Sequence, residues 1–233
     1  MSADTLLPAT REALVGLPVE VAPRLLGAVL RTTVDGETVA VRLTEVEAYH
    51  GQGTGEVADP ASHARMGRTA RNATMWGEPG HLYVYLSHGI HSCVNVVCGT
   101  EGVAGGILLR AGEVIEGTDA AQRRRPAARL ARDLARGPGR LGEAVGLRHP
   151  HHDGIDVVDV AERAGAVAEL LLPRHPVASI STGPRVGVAG VAGTAQYPWR
   201  LWITGDPTVS AFRWGRGAAE AAAEAAAAET QGV

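Results

Sequence analysis

The stretch Val29–Tyr49, VLRTTVDGETVAVRLTEVEAY, decides how the chain is read. Asp35-Gly36 is a turn signal between two runs rich in β-branched residues, so the segment predicts a hairpin of Val29–Val34 with Val39–Tyr49. In the second run Val39, Val41 and Leu43 alternate with polar neighbours, the period of two that marks a half-buried strand. Continued at that period, the pattern carries Glu45, Glu47 and Tyr49 onto the apolar face and His50 onto the opposite, solvated one. A carboxylate on the inward face of a strand is unfavourable unless it is paired or has chemistry to perform. Each of Glu45 and Glu47 therefore reads as a salt-bridge partner, as a carboxylate at the solvated end of the strand, or as a working acid.

Upstream, residues 19–32 read as a short helix and the start of the hairpin. Downstream, Gly51–Gly80 has no apolar period, and long excursions of this kind inside a domain usually carry function. It holds His63, Arg65, Arg68, Arg71 and Asn72; arginines at intervals of three suit either a solvated face or phosphate contacts. The block HLYVYLSHGIHSCVNVVCG predicts a second hairpin, Leu82–Leu86 with Cys93–Val97, with Tyr83 and Tyr85 on one face and Gly89 at the turn. In the next run, ILLRAGEVIEG, Arg110 interrupts an apolar strand and needs an anionic partner. Residues 118–147 read as helix broken at Pro126 and Gly137-Pro138-Gly139, and RVGVAG and WRLWITG as further strands. His149, His151 and His152 share a loop without a carboxylate at ligand spacing and are read as exposed. The boundaries follow: 1–18 an N-terminal extension, 19–216 the folded domain, 217–233 an Ala/Glu-rich tail with helix propensity but no apolar stripe.

Composition narrows the function. With 233 residues and 45% hydrophobic content the chain can build a sizeable core. No apolar run is long enough for a membrane span, and Met1–Pro18 lacks the pattern of a secretory signal, which points to the cytoplasm. Cys93 and Cys98 read as buried thiols rather than a disulfide framework. The sequence contains no lysine, so a lysine Schiff base is excluded. A net charge of -3 argues against indiscriminate nucleic-acid binding while leaving room for a local basic face.

Taken together, one inward carboxylate, several aromatic rings and a strand arginine suit a planar heteroaromatic substrate held by stacking beside an activated water. The segments TEVEAYHG, SHARMGRTARNATMW, PGHLYVYLSHGIHSCVNVV, ILLRAGEVIEG, RGPGRLGEAVGL and GPRVGVAG resemble, in order and spacing, the motifs of the alkyladenine (3-methyladenine/methylpurine) DNA glycosylase family, from about Pro23 to Ser210. The resemblance implies a single α+β domain with a curved, mainly antiparallel, open-barrel-like sheet surrounded by helices. It also implies a monofunctional glycosylase that flips alkylated or deaminated purines out of duplex DNA and hydrolyses the N-glycosidic bond. Carried over by position, Glu47 would be the general base for water, with Arg110 and the backbone of Val186–Val188 completing the water site. Tyr49, His63 and Tyr85 would sandwich the base, the His63 amide would meet its six-position, and Asn95 would exclude the two-amino group of guanine. At the hairpin tip, where the family often carries an aromatic wedge, this chain has His88. Arg65, Arg68, Arg71 and Arg123–Arg125 would meet phosphates. Glu45 is read as a structural ion-pair partner. No cofactor and no metal is implied, and the partner is damaged double-stranded DNA, bound by a monomer at the bacterial nucleoid.

Two other classes compete. A non-catalytic nucleic-acid-binding module could use the same rings and arginines, but has no use for a carboxylate beside them. A metal-dependent hydrolase would need a ligand triad that the histidine spacing does not provide.

Overall fold

The computed structural model describes residues 6–51 and 58–231. The chain runs β1 (Leu6–Pro8), α1 (Arg11–Leu14), α2 (Pro18–Leu25), β2 (Val29–Val34), β3 (Glu37–His50), β4 (His81–Ser87), β5 (His91–Val97), β6 (Gly105–Glu116), α3 (Thr118–Arg124), β7 (Ala135–Arg136), α4 (Pro138–Val145), β8 (Ile155–Asp156), β9 (Ala166–Pro173), β10 (Ile180–Gly183), β11 (Arg200–Ile203) and α5 (Ala218–Gln231). The strands form one curled antiparallel half-barrel whose main path is β1-β9-β2-β3-β6-β5-β4-β8, with β10-β11 joined to β3 and β7 to β6. The expected α+β architecture with helices packed on an open, mainly antiparallel sheet is the one observed.

Both anticipated hairpins form. Val34 pairs with Glu37 around Asp35-Gly36, whose φ values of 52° and 78° are the doubly positive pair that a tight hairpin turn requires. Tyr83 pairs with Asn95 and Ser87 with His91, leaving His88-Gly89-Ile90 as the tip.

The phase of β3 differs from simple alternation. Against β6 the register slips between Leu43 and Glu45 and again between Glu45 and Val46, so Thr44 on one strand and Arg110 on the other fall out of the ladder. A bulge inserts one residue and flips every later side chain to the other face. The hydrophobic core accordingly takes Val39, Val41 and Leu43 before the slip and Val46 and Ala48 after it. Glu45, Glu47 and Tyr49 thus leave the apolar face to which unbroken alternation assigns them. His50 arrives on the core side instead of in solvent and is 2% exposed.

Three further segments depart from the sequence reading. RVGVAG is not a strand: the chain there turns through Gly187 and Gly190, both at positive φ, into a single 3-10 turn at Gly190–Gly193. The region after His149 contains the eight-residue β9, which pairs with both β1 and β2. His152 is buried, its Nδ1 accepting the Arg148 amide at 2.9 Å, while His151 is exposed. Ahead of residue 19, β1 is hydrogen-bonded into the sheet and Leu14 is fully buried in the core, so the chain from Leu6 is integrated with the sheet. The Ala/Glu-rich tail is helical, with Ala218 its buried anchor. No helix among the described residues is long and apolar enough to cross a membrane.

Candidate active site

One row of side chains crosses five strands. Arg200 of β11 pairs with Glu47 of β3, Glu47 with Leu108 of β6, Leu108 with Asn95 of β5, and Asn95 with Tyr83 of β4. On these strands Leu82, Val84, Val94, Val96, Ile107, Leu109, Val46 and Ala48 enter the core, so the alternate residues share the other face. A cavity of about 450 Å³ opens there, lined by Tyr49, His63, Tyr83, Tyr85, Asn95 and Arg110, with Val186 and His88 also on its wall. That volume lies in the range of small-molecule sites. The bulge at Thr44 is therefore what delivers Glu47 and Tyr49 to the cavity.

Glu47 is fully buried and is held by two hydrogen bonds and one ion pair. The Tyr49 hydroxyl donates to Oε2 at 2.8 Å, the Val186 amide donates to Oε1 at 2.7 Å, and Arg110 Nη1 stands 3.3 Å from Oε1. Tyr49, Val186 and Arg110 are also the groups through which the cavity reaches it. Burial, reinforced by the negative charge of Glu47, pushes the Tyr49 hydroxyl well above its usual range, so it stays a donor.

Glu45 has a different environment. Its Oε1 accepts from Arg110 Nε at 3.0 Å, Arg200 Nε at 2.7 Å and Ser210 Oγ at 2.9 Å, while Oε2 takes the Ser210 amide at 2.7 Å. It is an ion-pair residue that holds Arg110 in place. Burial opposes the charge on Arg110, but Glu47 and Glu45 outweigh it and hold the guanidinium above its ordinary pKa.

A second buried pair closes the site from behind. Arg185 donates from Nη1 and Nη2 to the two oxygens of Asp59 at 2.8 Å each, and both side chains are fully buried. Arg185 also donates to the carbonyls of Ala48 and Ala192, and its Cζ lies 4.5 Å from the Tyr49 ring centroid. Asp59 in turn accepts the amides of His50 and Ala61. The pair thereby ties together the end of β3, the excursion carrying His63 and the loop carrying Val186. Among the described residues the buried carboxylates are Glu45, Glu47 and Asp59 and the buried guanidiniums Arg110, Arg185 and Arg200, so charge is balanced.

The aromatic wall is built by β4 and the excursion. Tyr83 and Tyr85 stack at 5.4 Å, and His63 stands edge-on to Tyr85 at 4.6 Å with its Nδ1 3.3 Å from the Tyr83 hydroxyl. Burial raises Tyr83 to about 12. Desolvation, then the charges of Arg71 and Arg65, hold His63 below its usual pKa, which favours the neutral ring. Asn72 staples this loop: its amide donates to the carbonyls of His63 and Gly67 and its oxygen accepts the Thr69 amide. Asn95 donates its own amide to the Tyr83 carbonyl at 3.0 Å.

The structure thus brings together Tyr49, His63, Tyr85, Asn95, Arg110, His88 and Arg65 around one cavity, with Glu47 buried directly behind Tyr49, Arg110 and Val186. Arg68 and Arg71 are exposed on the same excursion, Arg71 donating to the Leu86 carbonyl. The Arg123–Arg125 cluster is committed elsewhere. Arg123 pairs with Glu37, Arg125 with Glu143 at 2.6 Å, and Arg124 donates to the Ala144 carbonyl. His50, read as solvated, packs its ring against Trp199 at 4.6 Å with neither ring nitrogen hydrogen-bonded; burial holds it below its usual pKa, so it is neutral. Sequence reasoning missed Asp59, Arg185, Arg200 and Ser210. The only signal was a charged residue inside an otherwise apolar or Gly-rich run, which does not name its partner.

The family model described as Methylpurine-DNA glycosylase (MPG) matches residues 14–207, and the chain belongs to that family of DNA glycosylases. Among its relatives, the protein named "Putative 3-methyladenine DNA glycosylase" of Nocardia farcinica is 52% identical over 202 residues, 87% of this chain and 90% of the relative. Proteins of the same name from Leifsonia xyli and Streptomyces avermitilis are each 48% identical, covering 91% and 88% of this chain and 97% and 92% of their own.

Proposed function

We propose that the chain excises alkylated or deaminated purines, 3-methyladenine among them, by everting the damaged nucleotide from duplex DNA and hydrolysing its N-glycosidic bond with water activated by Glu47. The observation that carries this reading is the fully buried Glu47 carboxylate beside the Tyr49 ring and facing Arg110 and the Val186 amide. A carboxylate so placed is unsuited to mere phosphate binding, which it would oppose. Arg110, which lines the cavity while standing 3.3 Å from the Glu47 carboxylate, helps to hold the attacking water.

The rest of the cavity serves the base. A base within the duplex is out of reach, and extrusion costs a few kcal/mol, least where pairing is already damaged. Tyr49 and Tyr85 offer electron-rich faces that attract a cationic alkylpurine by about 0.5–2 kcal/mol. The charge also makes the base a better leaving group, so Glu47 need only take a proton from water and stabilise the developing oxocarbenium-like sugar. His63 completes the sandwich and Asn95 meets the purine's two-position, where undamaged guanine carries its amino group. Arg65, Arg68 and Arg71 hold phosphates while His88 enters the duplex at the vacated position. The absence of lysine fits chemistry that stops at base release, since glycosylases that also cut the strand use an amine as nucleophile. The protein works as a monomer on cytoplasmic, nucleoid-associated DNA.

The test is release of free base from duplexes carrying 3-methyladenine, 7-methylguanine, hypoxanthine or ethenoadenine, comparing wild type with Glu47→Gln. The variant should retain lesion binding and lose base release by at least about a hundredfold. An unchanged rate removes Glu47 from its role; absence of release by the wild type from all four favours the binding module.

A further inference from the structure

The segment that follows β11 is fastened to both sides of the Glu47 site. At its start the Ser210 amide donates to Glu45 Oε2 at 2.7 Å and the Ser210 hydroxyl to Oε1 at 2.9 Å, while Arg200 donates to the Ser210 carbonyl at 2.8 Å. Glu45 is the residue that holds Arg110. Further along, the Gly187 amide donates to the Arg213 carbonyl and the Gly190 amide to that of Arg216, each at 2.9 Å. One segment thereby reaches Arg110 through Glu45 and Val186 through the loop that follows it. It lies beyond residue 207, where the match to the family ends.

The Val186 loop needs such a support. Val186–Ala189 lines the base pocket, belongs to none of the strands, and turns through Gly187 and Gly190 at φ values of 71° and 59°. Glycine at positive φ leaves the backbone little intrinsic preference for one conformation. Packing makes the choice, because the Val188 carbonyl is wedged between two glycines. A Cβ on Gly193 or on Gly215 would stand 2.1 Å from its oxygen, so neither position admits a side chain unless the backbone shifts. A Cβ on Gly193 would also come within 3.1 Å of the Ala218 Cβ. Ala218 is fully buried and opens α5, which packs on the 3-10 turn at Gly190–Gly193.

We propose that Ser210–Ala218 is a clamp that positions Glu47 for catalysis, with Gly215 and Ala218 as positioning residues acting through the Val186 amide. The inference rests on the reading of Glu47 as the water-activating carboxylate. The 2.7 Å bond from Val186 to Glu47 is set by where the loop backbone sits. A carboxylate gripped by that amide and by Arg110 keeps one orientation only while both stay in place. A displacement of about 1 Å near the reacting groups can lower a rate by about a hundredfold. Neither Gly215 nor Ala218 lines the base pocket, so disturbing them should slow the chemical step and leave base binding alone.

The test compares wild type with Gly215→Ala, Ala218→Leu and, as a control for lost stability, Leu170→Ala, whose side chain is buried in the core from β9. Single-turnover base release with enzyme in excess, corrected for folded fraction, gives the rate at saturation and the enzyme concentration at half-saturation. Both clamp variants should lose about ten- to a hundredfold in rate with half-saturation held within about twofold, and Leu170→Ala should change neither. Hydrogen exchange supplies a readout that needs no catalysis. In both clamp variants the Val186 amide should exchange at least about tenfold faster relative to the amides of β6, a ratio that Leu170→Ala should leave as in wild type. Ala218→Leu perturbs the clamp from its far end, so the outcome does not depend on Gly215→Ala folding. Unchanged rates in the folded clamp variants, losses matched by Leu170→Ala, or an unchanged exchange ratio at Val186 would each overturn the proposal. Wild type that releases no base from any lesion sinks the glycosylase reading instead, and the exchange ratio alone then decides whether the clamp holds the loop.

Discussion

The buried pair Arg185–Asp59 offers the sharpest test of how the site is held. Arg185→Met keeps most of the side-chain volume but leaves the Asp59 carboxylate fully buried with only the His50 and Ala61 amides at 3.1 and 3.0 Å. Removing one partner of a buried ion pair costs about 3–5 kcal/mol, because the remaining charge is stranded. For a domain of this size each kcal/mol moves the melting temperature by about 2–4 °C, so a fall of about 6–20 °C is expected. Asp59→Asn should destabilise in the same sense, because Arg185 keeps its neutral acceptors but loses the charge that balances it. The double variant, with no stranded charge, should be more stable than the sum of the single losses implies. Thermal and urea unfolding at neutral pH read all three values. A loss in Arg185→Met below about 1 kcal/mol, the size found for exposed pairs, would refute the argument, as would strictly additive effects. Because Val186 follows Arg185 directly and its amide holds Glu47 at 2.7 Å, the folded fraction of Arg185→Met should also release base more slowly, with the change in kcat rather than KM.

Two other outcomes follow from the geometry. Tyr85→Leu removes a π-face without touching Glu47, so kcat/KM for cationic 3-methyladenine or 7-methylguanine should fall about two- to thirtyfold more than for neutral hypoxanthine; equal losses would argue against cation stacking. Burial holds His50 below its usual pKa, next to Asp59, Arg185 and Glu20, so as pH falls below about 6.5 the unfolded chain binds a proton that the folded one resists. Wild type should therefore lose up to about 1.4 kcal/mol per pH unit below that point relative to His50→Leu, and parallel stability curves from pH 7.5 to 5.5 would show that His50 is not the cause.

Local pattern was enough for much of the fold. The Asp35-Gly36 turn, the two hairpins and the alternation of Tyr83 and Tyr85 against Leu82, Val84 and Leu86 are short-range properties, set by turn chemistry and by the two-residue period of a strand. The apolar run around Arg110 demanded an anion, and Glu45 and Glu47 supply it. What local pattern could not show is where the period breaks. Nothing in TEVEAY marks Thr44 as the bulged residue, because the slip is set by how β3 fits β6 and β11 at once. The same slip sends His50 to Trp199 instead of solvent. In RVGVAG the β-branched residues suggest a strand, yet the Val186 amide is used by Glu47 instead of a neighbouring strand.

By itself the sequence determined the two hairpins with their turns, the residue types available for chemistry and the absence of a lysine nucleophile, since each of these is settled within a few residues of chain. Tertiary structure alone decided which distant partners the buried charges would meet. Asp59 and Arg185 stand 126 positions apart, and Glu45 and Ser210 stand 165 apart. Buried charges must be matched wherever the folded chain brings them together, and that matching has no signature in local sequence.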